Sequence, residues 1–260
     1  MYRFLVKPKW LLLHLVCIAM VIIMINLGFW QLHRLHDRQA FNERVRQQSE
    51  LVPIPLADAL SPATGNPDTA ALEYRPISVT GTYVAGHDYE RSIIRGDVNG
   101  RDLIDALELA DGTVLVVNRG WLPAEAPAPD LPSGEVTLTA RLRVSATGGT
   151  GQNTDGTTQP VQIFRIDATA IAEQTGHGSQ VMYVERITSD PAESDTLEAI
   201  PFPDLGEGPH LGYAVQWFLF SVCVLAGWAI AVAKKVGDLR DPERAAAKAH
   251  PAPEPGDPVF

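Results

Sequence analysis

The sequence predicts a membrane protein in which two transmembrane helices flank a mostly antiparallel β domain of the α+β class, placed outside the cytoplasm. Three observations predict it: two long uncharged apolar segments near the ends of the chain, short β-branched runs between them, and an uneven distribution of lysine. The apolar segments are residues 10–30 and 211–233. At 1.5 Å per residue each helix would be roughly 30 Å long, the thickness of a bilayer's hydrocarbon core.

The first apolar segment, residues 10–30, shares one feature with a secretory signal peptide, because basic residues precede it. Signal-peptide cores are usually about 7 to 15 residues long and end at a small-residue cleavage site. This run is longer and ends in Gly28-Phe29-Trp30. The sequence therefore favours an uncleaved span that follows a short cytoplasmic segment, residues 1–9.

The distribution of cations predicts that both termini are cytoplasmic. Residues 190–209, just before the second span, contain six acidic residues and no lysine or arginine. The residues after that span include Lys234, Lys235, Arg240 and Arg244. Positively charged flanks stay on the cytoplasmic side, although an arginine-rich stretch after the first span, residues 34–46, points weakly the other way. We expect the plasma membrane of a bacterium, with residues 234–260 forming a disordered cytoplasmic tail.

The segment between the spans is acidic and free of cysteine. Residues 31–209 contain 13 arginines, no lysine and 26 acidic residues, a net charge of −13, whereas the whole chain carries −10. This charge argues against nucleic-acid binding, which needs clustered cations. The two cysteines, Cys17 and Cys223, lie inside the spans, so the domain has no disulfide, no c-type haem attachment site and no cysteine pair for copper.

A stalk and linker, residues 31–73, precede the β domain. The stretch up to about residue 48 is rich in helix formers, so the first helix is expected to continue past the membrane until Pro53 and Pro55 end it. The domain itself is predicted over residues 74–209, with one short helix at 167–174 capped by Asp167. The predicted strands are 75–84, 89–95, 101–109, 113–119, 136–144 and 180–186.

Turn residues separate these strands. The sequences Asp97-Val98-Asn99-Gly100 and Ala110-Asp111-Gly112 are typical of hairpin turns. Arg95-Gly96-Asp97 spells an adhesion tripeptide, but it lies where a turn needs Gly and Asp, so we interpret it as a turn. The glycines at 148–151 lack the Lys-Ser/Thr of a phosphate-binding loop and are interpreted as a linker.

Histidines cluster at the ends of the two predicted spans. His33 and His36 are three residues apart and share one face of the emerging helix, and His210 immediately precedes the second span, with Trp217 at helical spacing. All three histidines would lie at the same depth. They are either interfacial polar residues or ligands, since neutral imidazole is a good ligand for iron or copper. His14, inside the first span, is expected to find a polar partner or to lie near the inner interface.

Four segments, in order, resemble the surfeit locus family of cytochrome c oxidase assembly factors. They are residues 27–34 (LGFWQLHR), 74–83 (YRPISVTGTY), 116–123 (VVNRGWLP) and 210–218 (HLGYAVQWF), and the resemblance covers residues 10–233. It implies a non-enzymatic membrane factor that helps mature subunit I of an aa3-type haem-copper oxidase by aiding insertion of haem a. It also implies that His210 is the axial ligand of that haem, and makes haem a synthase a candidate partner beside subunit I.

The remaining candidate residues follow from their chemistry. His33 or His36 could supply a second ligand and Trp217 a stacking neighbour, while Arg119 could hold a protein carboxylate or a haem propionate. Gly28 and Gly212 would allow close helix approach, and Gly81 a bulge or close packing in the sheet.

Two other functions stay open at this point. One is a haem-free scaffold that stabilises an oxidase intermediate by helix packing. The other is a membrane-anchored hydrolase built on His87, Asp88 and Ser92. No nucleophile elbow or oxyanion loop accompanies these three residues, which argues against the hydrolase.

Overall fold

A computed structural model describes residues 2–61, 69–86, 88–146 and 160–241. It divides into two compact units: Met1–Phe41 with Gly206–Phe260, and Asn42–Leu205. In the described residues, a 3-10 helix (Tyr2–Val6) precedes the helices α1 (Pro8–Ser49), α2 (Leu56–Ala59), α3 (Ala168–Thr175) and α4 (His210–Arg240). The strands are β1 (Ile54–Pro55), β2 (Pro76–Tyr83), β3 (Tyr89–Arg95), β4 (Val98–Leu109), β5 (Thr113–Pro123), β6 (Glu135–Val144), β7 (Val161–Gln162), β8 (Gly178–Ser179) and β9 (Met182–Asp190).

The first unit contains two helices that are long and apolar enough to cross a membrane, α1 and α4. Only 6% of the apolar window of each helix is buried. The core helix of a water-soluble protein would be mostly buried, whereas a membrane span exposes its apolar side chains to lipid. The chain is therefore a membrane protein, and α1 continues unbroken beyond its apolar part to Ser49, as its helix-forming residues predict.

The two long helices pack antiparallel. Near the start of α1, His14 Nδ1 accepts a hydrogen bond of 2.9 Å from Trp228 Nε1. Further along α1, the ring of Phe29 meets that of Phe218 edge to face, with centroids 5.6 Å apart. The contacts thus run in opposite order along the two helices.

Gly28 has the role expected for it, but Gly212 does not. A Cβ on Gly28 would come within 2.7 Å of the Phe218 ring, so glycine makes this close contact between the helices feasible. A Cβ on Gly212 would meet no described atom within 4 Å. The expectation of close helix approach at Gly212 is therefore wrong, because that position faces away from α1.

The second unit is a strongly curved sheet of nine strands in the described residues. Its path runs β1-β2-β6-β9-β5-β4-β3-β7, and β4 also pairs with β2, so five strands form a closed ring. The long pairings are antiparallel, as predicted. The ring closes through one short parallel pairing, β5 with β9 at Val117 and Val184, which the sequence did not predict. Closure leaves the ring strands without a free edge.

Alternation along the strands builds the core inside this ring. Leu115 and Val117 of β5 point into the main cluster, whereas Val116 between them packs in a second cluster beneath α3. Every second residue of a strand faces the same side, which gives the sheet two apolar layers. The N-terminal cap of α3 is Asp167, whose Oδ1 accepts a bond from the Ala170 amide, as predicted.

Three local predictions need correction. The hairpin predicted at residues 97–100 turns at Gly96 and Asp97, because Arg95 pairs with Val98. Gly100 lies inside β4, where a side chain would collide with the indole of Trp121. The Asn118–Trp121 motif does not end its strand either, since β5 continues to Pro123. The predicted disordered tail is helical as far as Arg240, and residues 242–260 lie outside the described residues.

Candidate functional site

His210 is the first residue of α4, and its ring is held by a residue of α1. The Nδ1 atom lies 2.9 Å from Oε1 of the Gln31 side chain. An amide oxygen only accepts, so Nδ1 carries the proton and donates it. The other ring nitrogen, Nε2, then keeps its lone pair, which is the form of imidazole that binds a metal.

A glycine lies beside the lone-pair edge of this ring. Gly208 has a φ of +70°, a conformation that L side chains rarely adopt. A Cβ at this position would be 3.4 Å from His210 Cδ2 and 3.5 Å from Nε2. A side chain there would cover Nε2, so glycine leaves room for a ligand at this atom.

His210 lines an open cavity of about 390 Å³ together with four residues of α1: Arg34, Asp37, Arg38 and Phe41. Arg34 stacks over the Trp30 ring at 5.8 Å and lies 3.9 Å from Asp37. Arg38 Nε donates to the Gly206 carbonyl at 2.9 Å. Two guanidinium groups against one carboxylate give the cavity wall a net positive charge, which favours an anionic ligand.

His33 and His36 lie on α1, the helix that also carries Gln31. Relative to Gln31 they lie about half a turn round α1, at about 100° per residue, and neither lines the His210 cavity. Nδ1 of His33 donates to the Phe29 carbonyl of its own helix at 2.8 Å. A second-ligand role for either histidine remains a prediction.

Trp217 lies on the same face of α4 as His210, two turns and about 10 Å further along. Its ring meets Phe220 edge to face, with centroids 6.0 Å apart. Stacking on a cofactor remains a prediction for this side chain. His14, in contrast, has the polar partner expected of it, the Trp228 indole.

Arg119 is buried in the second unit and holds protein carboxylates. Its Nε and Nη2 atoms donate to the two oxygens of Glu193 at 2.8 and 2.7 Å, and Nη1 lies 3.2 Å from Asp105. The side chain is 2% exposed. The structure thus confirms that Arg119 holds carboxylates, whereas a contact with a haem propionate remains a prediction.

A second cavity, of about 350 Å³, adjoins this ion pair. Asp88, Asp105, Arg119 and Asp130 are among its lining residues. Burial raises the pKa of Asp105 to about 7, an effect that Arg119 opposes and a hydrogen bond with Asp88 reinforces. Since Arg119 is already matched by Glu193, Asp105 is a surplus carboxylate at this site.

The triad postulated for a hydrolase is not supported by the described residues. Ser92 lies in β3 opposite Arg101 of β4, and Asp88 is exposed. His87 lies outside the described residues. The part of the chain that the structure describes therefore does not show His87, Asp88 and Ser92 assembled as a triad.

Sequence reasoning singled out His210 as a candidate but not the residues around it. Gln31 and Arg34 lie in the first resembling segment and Gly208 two residues before His210, yet no motif marks them as a group. The available signal was the antiparallel arrangement of the spans, since it places the end of the first span beside the start of the second.

The fold and site define a class: membrane proteins whose two helices flank a β domain, with an imidazole at the start of the second helix. Residues 18–222 match the model of the SURF1 family, and the chain belongs to that family of oxidase assembly factors. An uncharacterized SURF1-like protein of Mycobacterium tuberculosis is 27% identical over 232 residues, covering 86% of this chain and 83% of its own. A SURF1-like protein of Monosiga brevicollis is 27% identical over 238 residues, and the match covers 81% of this chain and 84% of that protein.

Proposed function

We propose that this protein carries haem a during assembly of an aa3-type cytochrome c oxidase and aids its insertion into subunit I, with His210 as the axial ligand. The observation that carries the proposal is the state of the His210 ring. Gln31 accepts from Nδ1, and Gly208 leaves the Nε2 edge uncovered by a side chain. Haem brings an iron that needs an axial donor, and neutral imidazole is such a donor.

A single imidazole donor fits a metal that is already bound in a porphyrin, such as haem iron. Among the described residues no three His, Cys, Asp or Glu side chains converge as a metal site. One imidazole is too few ligands for a bare ion but sufficient for an iron already held by four porphyrin nitrogens. Arg34 and Arg38 would hold the propionates, because guanidinium groups pair with carboxylates.

The open cavity also suits a carrier rather than a permanent haem protein. Only the imidazole and exposed charges would hold the cargo, so its affinity stays moderate and release to subunit I is feasible. This chain performs no chemical step in the proposal: His210 binds, Gln31 orients the ring, and the arginines orient the carboxylates.

We further propose that both termini are in the cytoplasm of a bacterium and that the β domain lies outside it. The antiparallel helix pair supports termini on one side. The cations after α4 support the cytoplasmic side. Haem would then be held at the outer surface of the membrane, with haem a synthase as a candidate donor.

The test is to co-express the protein with the enzymes that make haem a, purify it in detergent and record its visible spectrum. We expect a haem a spectrum for the wild type and its loss in His210→Ala. His177→Ala is the matched control, since this histidine lies in the second unit and hydrogen-bonds a backbone carbonyl. Full haem occupancy in His210→Ala would reject the ligand assignment. Co-purification with subunit I without haem in any variant would instead establish the haem-free scaffold.

A further inference from the structure

We infer that Gln31 is a positioning residue: it fixes His210 in the Nδ1–H tautomer and so makes Nε2 the ligating atom. The inference rests on the proposed function of His210. It gives α1 a specific role. Gln31 is not itself a ligand, but its hydrogen bond determines which nitrogen of the imidazole can bind the iron.

One hydrogen bond joins the Gln31 and His210 side chains. Gln31 lies near the end of the apolar part of α1, and His210 begins α4, 179 residues later in the chain. A neutral imidazole has a proton on one nitrogen and a lone pair on the other. With the Gln31 oxygen 2.9 Å from Nδ1, the proton belongs on Nδ1 and the lone pair on Nε2.

The surroundings of Nε2 agree with this assignment. Gly208 lies against the Cδ2–Nε2 edge and presents no side chain to it. Two arginines and one carboxylate line the cavity with His210, and that carboxylate, Asp37, lies 3.9 Å from Arg34. Among the described residues, the ring makes a hydrogen bond at Nδ1 and none at Nε2, which is the arrangement found for metal-binding histidines.

A second histidine provides an internal comparison. His33 donates its Nδ1 proton to the Phe29 carbonyl at 2.8 Å, a backbone acceptor that no side-chain substitution removes. His33 and His210 thus share one tautomer for different reasons. Substituting Gln31 should alter His210 and leave His33 unchanged.

The first experiment measures the tautomers without haem. The full chain, labelled with 15N-histidine, is studied by NMR in detergent at about pH 8.5, two units above the ordinary histidine pKa of about 6.5, and His210→Ala assigns the His210 signals. We expect a protonated Nδ1 and a bare Nε2 in the wild type and in Gln31→Glu, whose carboxylate can only accept. Gln31→Leu should lose this preference, with the His33 signals constant throughout. A wild-type His210 protonated on Nε2, with the Gln31 amide as donor, would overturn the inference.

The second experiment adds haem a to the same variants. Loss of a hydrogen bond to a metal ligand costs about 10- to 100-fold in affinity, so we expect at least tenfold weaker binding in Gln31→Leu. Gln31→Glu should keep binding and lower the reduction potential of the iron, because a carboxylate makes the imidazole a stronger donor. Equal affinity in Gln31→Leu would overturn the positioning role while the carrier function stands. If no variant binds haem but the tautomers behave as expected, the carrier function fails and the effect of Gln31 on the ring stands.

Discussion

Arg119 and Glu193 form a bidentate ion pair inside the second unit, with both side chains almost fully buried. The two hydrogen bonds, 2.8 and 2.7 Å long, join β5 to the segment after β9. The backbone carbonyl of Arg119 also accepts from Arg186. This pair ties the VVNRGWLP segment into the domain and gives a structural reason for an arginine at this position.

The first prediction concerns the stability of this ion pair. Arg119→Met removes the guanidinium that hydrogen-bonds the buried Glu193 and Asp105 carboxylates, so we expect the free energy of unfolding to fall by about 3–5 kcal/mol. Chemical denaturation of the full chain in detergent, followed by circular dichroism, measures it. Arg165→Met is the control, because Arg165 is exposed, and a change within about 0.5 kcal/mol is expected there. Equal effects of the two substitutions would contradict the prediction.

The second prediction concerns the pH dependence of Asp105. Its pKa in the folded protein is about 7, above the ordinary aspartate pKa of about 3.9, so between these values the folded state binds more protons than the unfolded state. Stability from this group therefore falls as pH rises through that window, by up to about 1.4 kcal/mol per pH unit. Asp105→Asn should remove that fall, which denaturation at a series of pH values would detect.

A control whose pKa is shifted in the opposite direction is available in the same unit. Asp111 is exposed, and its pKa is lowered by hydrogen bonds from the Thr113 hydroxyl and amide. Its contribution is present above the unfolded pKa and is lost on acidification, so Asp111→Asn should change the slope of stability against pH only at acid pH. A difference in stability between wild type and Asp105→Asn that stays constant between pH 4 and 7 would contradict the prediction and mean that Arg119 keeps Asp105 ionised.

The sequence predicted the spans and the long strands because these carry the strongest periodic patterns. The strand predicted at residues 89–95 coincides with β3, and that at 136–144 differs from β6 by one residue. The short strands β1, β7 and β8 were missed, since two residues carry no period. Ring closure was missed because it depends on pairings between residues distant in the chain.

Prediction from the sequence has the same limit for individual residues. Gly100 was predicted in a turn because glycine is common there, but its neighbour in space is Trp121, which sequence spacing does not reveal. His210 could be singled out as a candidate because it combines an unusual residue type with the start of a span. Gln31 could not, because glutamine is ordinary at a helix surface and only the partner across the helix pair gives it a role.

The third prediction concerns the contact between Gly28 and Phe218. Gly28→Ala brings a methyl group within 2.7 Å of the Phe218 ring, so the ring must move. We expect a loss of about 1–3 kcal/mol, measured as unfolding of the detergent-solubilised protein by sodium dodecyl sulfate. Adding Phe218→Leu should recover part of the loss, because the smaller side chain leaves room. Gly212→Ala is the control, and a loss there as large as at Gly28 would refute a specific contact.

The fourth prediction concerns the arginines beside His210 and rests on the proposed carrier function. Arg34 is 57% exposed, and an exposed ion pair contributes up to about 1 kcal/mol. We therefore expect Arg34→Gln to weaken binding of ferric haem b about 2- to 5-fold. Haem b dimethyl ester, which lacks the propionate charges, should bind the wild type more weakly and be insensitive to Arg34→Gln. Arg44→Gln, at an exposed position further along α1, is the matched control. An equal loss of affinity for the acid and the ester would show that Arg34 acts through packing rather than through its charge.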